Sequence, residues 1–223
     1  MTPNRSRIAY TAKNGLTVKA VSDELAPFLR KRGFRRKGLV WNQTSSGFVD
    51  VIEIQASRWN DAVRESFTLN FGVLSREVFQ ACWGRTAPTF VPEVECTVRS
   101  RVGALAGAGK KGAKDQWWAV DGGTSLTTVA ADVREAIEKY GLLFFEDLHS
   151  LVHMEKYLTE STRWETQTPL ARIYLGIIRA LVGDVSGARS VLGSLDPNRE
   201  GAWLLRAKEA AVRVGIELSI SNR

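Results

Sequence analysis

An α+β fold is the class this sequence predicts: an antiparallel sheet of about five strands packed on helices, followed by a helical tail. Three observations predict it. Apolar residues fall at helical spacing over 17–32 and again over 125–140. Between those stretches the period drops to two, in short segments separated by turn residues. That is the pattern of antiparallel strands with one covered and one wet face. Beyond residue 165 helical spacing returns, with Gly or Pro between the segments. The expected division is an α+β domain over 1–160 and a small all-helical tail over 165–215 packed on it.

The elements follow in order. "TVKAVSDELAPFLRKR", 17–32, reads as a helix on Val18, Val21, Leu25, Phe28 and Leu29, kinked at Pro27 and capped by Gly33. "KGLVWNQ" is a strand, "TSSG" a turn and "FVDVIEIQAS" the next strand. "FTLNFGVL" puts Phe67, Leu69, Phe71 and Val73 on one face. "SREVFQACWGRTAPTFVPE" is a short helix and a Pro-containing loop. "VECTVRSRV" alternates, with Val94, Cys96, Val98 and Val102 to one side and Glu95, Thr97, Arg99 and Arg101 to the other. "QWWAV" closes the sheet. Thr124 or Ser125 then caps a helix that Gly141 ends. "FFEDLHSLVHMEKYL" is read as one helix, with Glu146 and Asp147 at its N-terminal dipole. Three short helices finish the chain, the first opened by Pro169.

The 223 residues suit one large domain or a domain with an appendix. Two cysteines, Cys82 and Cys96, make no disulfide framework. No apolar run approaches the roughly 18 residues of a membrane span. The N-terminal "MTPNRSRIAYTAKNG" has no apolar h-region of a signal peptide. The expectation is a cytoplasmic protein. The net charge of +7 is uneven: residues 1–40 hold ten Lys or Arg against two acids, and the rest hold 21 against 22. A local cluster of this kind speaks for an anionic partner more than a high isoelectric point does.

"GALAGAGKKGAKD", 103–115, contains G-x-G-x-x-G at Gly107, Gly109 and Gly112, and misses a P-loop because Lys111 stands where Ser or Thr would hold magnesium. Phosphate loops need a strand before and a helix after. Here a strand is expected on both sides, so the stretch reads as a hairpin connection rather than a phosphate cradle.

The ordered set "FLRKRGFRRKGLVWNQ", "VDVIEIQASRWN", "FTLNFGV", "RSRVG" and "DQWWAV" resembles the bacterial family catalogued as domain of unknown function 4304, over roughly residues 17–160. The resemblance implies an α+β fold with an antiparallel sheet, a variable loop before the paired Trp, and no activity. The tail is similar to a single tetratricopeptide hairpin in Gly176, the Gly183–Asp184 pair, Ala188 and Leu192, with Pro197 about three residues early.

Candidate sites are few. "RKRGFRRK" supplies Arg30, Lys31, Arg32, Arg35, Arg36 and Lys37. With Arg99, Arg101, Lys110, Lys111 and Lys114 they would form one anion-binding patch if the segments adjoin, and Trp41 and Trp59 would stack on bases. Cations at a helix end and on an edge strand explain the cluster equally. His149 and His153, four apart on one expected helix, are weak zinc candidates without a close Cys pair. No metal or other cofactor is expected. Glu53 and Glu95 are paired carboxylates for acid–base chemistry, or solvated strand faces. No nucleophile elbow or kinase set is present. The leading reading is a non-catalytic protein-binding or accessory module whose partner is another protein. The alternative is a nucleic-acid or polyanion binder using 30–37 and the 103–114 loop, and the third is an enzyme acting on a phosphate-bearing substrate.

Overall fold

Thr17 opens the first helix, α1 (Val18–Glu24), by accepting from the Ala20 amide through its side chain. The computed structural model describes residues 17–61, 63–107, 115–161, 164–196 and 198–218. Pro27 cannot donate to the turn before it, so the helical stretch resolves into α1 and α2 (Ala26–Lys31), divided at Leu25. At Gly33, φ is +86°, and the amides of Gly33 and Phe34 bond the carbonyls of Arg30 and Leu29. That paired motif suits a residue without Cβ.

Six strands follow, one more than expected: β1 (Arg35–Lys37), β2 (Val40–Ser45), β3 (Phe48–Ala56), β4 (Arg64–Ser75), β5 (Val98–Arg101) and β6 (Trp118–Asp121). The extra strand is the basic run itself, which pairs as an edge strand with β2. Its charges hid it from an apolar-alternation reading, and "KGLVWNQ" is split at Gly38. Every pairing is antiparallel, in the order β1-β2-β3-β4-β5. β6 pairs with Arg64–Phe67 of β4, while β5 pairs with Asn70–Val73 on the same edge. Thus β5 and β6 run end to end in one direction, as a single edge strand interrupted at residues 102–117. The first part of the interruption is a short helix, α4 (Val102–Ala106). It precedes the glycine fingerprint instead of following it.

One sheet face carries Trp41, Ile52, Ile54, Phe67, Leu69, Phe71, Val73 and Val98 into the main core. The opposite face is not simply wet. Val49, Val51 and Leu74 are covered by Phe79, Val91 and Cys96 in a second, smaller core. Asn42 ties the covering loop down, donating to the Val91 carbonyl at 3.0 Å and accepting from its amide at 2.6 Å. Gly72 permits this close approach, since a Cβ there would lie 2.5 Å from Cys96 Sγ. The expected alternation over 94–102 therefore fails at its start. Glu93–Glu95 is a turn of 3-10 helix, Val94 is 60% exposed, and Cys96 lies in the second core while Val98 lies in the first.

Ser125 caps α5 (Leu126–Ala136), which passes through one π-helical turn, Ile137–Gly141, into α6 (Leu142–Asp147). Gly141 does not end the helix. It lets the turn sit on the Phe71 ring, 2.5 Å from where a Cβ would stand. The chain breaks at 148–150 before α7 (Leu151–Glu160), so Glu146 and Asp147 close one helix rather than open another. Thr168 caps α8 (Pro169–Leu181), Asp184 caps α9 (Val185–Leu192), and α10 (Gly201–Arg213) ends the helical series. Gly176 and Leu192 meet where α8 and α9 cross. α3 (Arg76–Trp83) joins these helices to the sheet. The Trp83 indole donates to the Tyr174 hydroxyl at 3.1 Å, and Arg213 donates to the carbonyls of Ala81 and Cys82.

Candidate functional site

The basic run lies across α2 and β1, at the edge of the sheet farthest from β5. Four strand spacings, about 19 Å, separate it from Arg99 and Arg101. The two segments do not form one patch. Lys110, Lys111 and Lys114 lie outside the described residues. Within the run, Arg32 bonds Glu138 at 2.9 Å and lies over the Phe28 ring, and Arg36 bonds Asp23 at 2.6 Å. Both serve the fold. Among the described residues, Arg30, Lys31, Arg35 and Lys37 have no acidic partner. Trp41 is fully buried, with its indole directed to Ser22 Oγ, so it is a core residue and not a stacking platform. Trp59 is 79% exposed beside Arg58.

The two histidines do not share a helix face. His149 stands in the break before α7, where its Nε2 meets Asp50 Oδ1 at 2.7 Å and its ring stacks on Phe48. His153 is turned to the Asp147 carbonyl. Asp50 is buried, and burial raises its pKa against the pull of His149. Cys82 is pushed up to about 12 and Cys96 well above its ordinary value, both by burial, which makes both thiols poor nucleophiles. Among the described residues, no group of three His, Cys, Asp or Glu is placed to hold a metal.

The strongest polar constellation is on the second sheet face, where the small core ends. Strand register alone places Glu53, Asn70 and Arg101 in one row across β3, β4 and β5, and Arg99 beside Gly72 one row away. The 3-10 turn delivers Glu93, 4% exposed, to a two-bonded grip by Arg99, 2.8 Å at each bond. Burial raises the Glu93 pKa, Arg99 opposes that rise, and the neighbouring Glu53 adds to it. Arg101 bonds Asp115 at 2.8 Å and Gln55 at 3.2 Å. Gly103 leaves room for that return, because a Cβ there would lie 2.5 Å from the Gln116 backbone nitrogen. The Asn70 amide donates to Glu53 at 3.2 Å and to Gln55 at 2.8 Å, and its Oδ1 is buried without a partner. Of these, Glu53, Gln55, Asn70, Glu93, Arg99 and Arg101 line a cleft of about 310 Å³.

Sequence reasoning named Arg99 and Arg101 as anion-binding candidates and paired Glu53 with Glu95. In the structure both cations hold carboxylates, and Glu93 is the acid that couples to Glu53. Glu93 left no periodic signal because it closes the segment read as a Pro-containing loop, and the 3-10 turn that positions it runs on into the expected strand.

A third surface is apolar. On α10, Leu205 and Val212 stand 62% and 78% exposed, seven residues apart and so on one helix face. Beside them Ala211, Ile216 and Leu218 line a groove of about 630 Å³, with Lys208 and Glu217 among its polar residues. No helix among the described residues is long and apolar enough to cross a membrane.

Comparison with curated proteins and with solved structures gives no match. A family model does match, over residues 25–147, a shorter span than the resemblance suggested. The match takes in the whole sheet with α2 to α6 and stops before the helices that carry the apolar surface. Covering more than half of the chain, it makes this protein a member of the family described as Domain of unknown function (DUF4304).

Proposed function

We propose that the chain is a non-catalytic, cytoplasmic protein-binding module and that another protein docks on α10. The observation that carries this reading is the exposed Leu205–Val212 face with the apolar groove beside it. Exposed apolar surface that is continuous with a groove is characteristic of interaction sites. In helical-hairpin arrays the face in this position is covered by the next hairpin, whereas α8 and α9 form a single hairpin here. Two unpaired thiols accord with a reducing compartment.

The test uses the full chain in three forms. They are wild type, the α10 variant Leu205→Glu with Val212→Glu, and an edge variant with Arg30, Lys31, Arg35 and Lys37 changed to Gln. The edge variant spares Arg32 and Arg36, which hold the fold. Partners captured from the native host are identified and their affinities measured with purified components. A protein partner that binds wild type and the edge variant alike, and the α10 variant at least about tenfold more weakly, supports the reading. A partner lost from the edge variant and kept by the α10 variant overturns it in favour of the basic edge, as does a captured nucleic acid. Capture of no partner by wild type also overturns it.

A further inference from the structure

Among the described residues, the cleft on the second sheet face has an imbalance of charge. Two carboxylates, Glu53 and Glu93, and two guanidiniums line it, and a third carboxylate, Asp115 outside the lining, takes Arg101. Arg99 is committed to Glu93 and Arg101 to Asp115. Among the described residues Glu53 has no cation within ion-pair distance, and the only side chain that donates to it is Asn70. The Asn70 amide is oriented by its two acceptors, Glu53 and Gln55, so its Oδ1 is an acceptor by necessity. That oxygen is buried, the residue is 6% exposed, and the atom has no partner. An unpaired buried acceptor costs about 1–3 kcal/mol, so its retention calls for an explanation.

The geometry points to this cleft as a binding site for a small organic cation that carries N–H donors, held by the Glu53 carboxylate and Asn70 Oδ1. A buried acceptor without a donor, beside a carboxylate that among the described residues meets only a neutral amide, asks for a ligand that is both a donor and positive. An anion would have to displace Glu93 or Asp115 from its arginine. Leaving the buried Glu93 unpaired would be strongly destabilising. A bare calcium ion wants six to eight oxygens, more than the free acceptors here supply. The volume, about 310 Å³, is at the small end of ligand sites and fits an alkylammonium or alkylguanidinium head with a short chain. The site uses no residue of α10, so it stands or falls independently of the docking surface.

The test compares n-butylammonium with tetramethylammonium, which has the same charge and no N–H, by titrating the ¹⁵N-labelled full chain. The side-chain amide signals of Asn70 and Gln55 report on the cleft directly. Butylammonium is expected to shift them saturably in the millimolar range, on the order of 4 kcal/mol of binding, and tetramethylammonium is expected to leave them in place. Glu53→Gln keeps the side-chain shape and removes the charge. It should weaken butylammonium binding by about tenfold or more, with the remaining spectrum unchanged. The inference is overturned by the absence of saturable shifts up to about 50 mM, by equal shifts from the two cations, or by equal affinity in Glu53→Gln. Should that variant unfold, the wild-type comparison of the two cations decides alone.

Discussion

Asp50 sits with almost no water around it, and His149 reaches it from ninety-nine residues away. Because burial raises its pKa, the folded chain holds the proton at pH values where the unfolded chain has released it. In the window above the ordinary carboxylate range the unfolded state therefore binds fewer protons, and this group's contribution to stability falls as pH rises. Asp50→Asn removes that dependence. The stability difference between wild type and variant, from urea unfolding at a series of pH values, should move against wild type as pH rises from about 4. A difference that is flat, or that moves in favour of wild type, would contradict the burial argument. The same contact explains why the histidine pair was misread. Spacing of four places two residues on one face only if the helix is unbroken, and the break at 148–150 accompanies a tertiary bond with no local signature. Trp41 was misread for a related reason. Alternation shows that its neighbours point the other way, but not which face of the sheet is covered.

At the scale of elements, the turns were the most legible parts. Pro27, Gly33 and the "TSSG" turn all act as their chemistry requires. In that turn Ser46 and Gly47 join Ser45 to Phe48 with φ of 39° and 91°. Positive values at both central residues define the hairpin turn that favours Asn-Gly. Ser46→Asn is expected to stabilise the protein by roughly 0.5 kcal/mol, read as a higher urea midpoint at unchanged slope. An unchanged or lower midpoint would show that Ser46 is held by something other than turn geometry. Less legible were the segments where charge or a second core interferes with the period. β1 is a strand made of three cations, and Glu93–Glu95 folds as a 3-10 turn after which Cys96 lies over Gly72. The cleft was half visible. Its arginines stood out, while the acids that occupy them come from a turn and from beyond an excursion of the chain.

Across the whole molecule, the sheet and the C-terminal helices share one apolar core. Val21, Leu69, Phe145, Ile177 and Ala210 belong to the same buried cluster. α3 joins the two parts through Trp83, Tyr174, Arg206 and Arg213. The full chain should therefore unfold in one transition, with tryptophan fluorescence and far-ultraviolet circular dichroism giving coincident curves on heating. Two separated transitions would mean that α3 does not couple the layers. For the same reason the docking surface is better tested by point changes on α10 than by truncation, which would strip cover from α3 and from the Tyr174 side of the core.

The interrupted edge strand has a practical corollary. β5 and β6 each find their own rungs on β4, so the sheet's register is set independently of how many residues the chain spends between them. Foreign sequence grafted between Gly107 and Asp115 is therefore expected to leave the cross-strand pairs of β5 and β6 in place. The return limb of the chain there is also wired to the cleft, since Asp115 is pinned by Arg101. A fluorescent reporter grafted there would sit on a tether that ends at the cleft, turning whatever occupies the cleft into an optical signal.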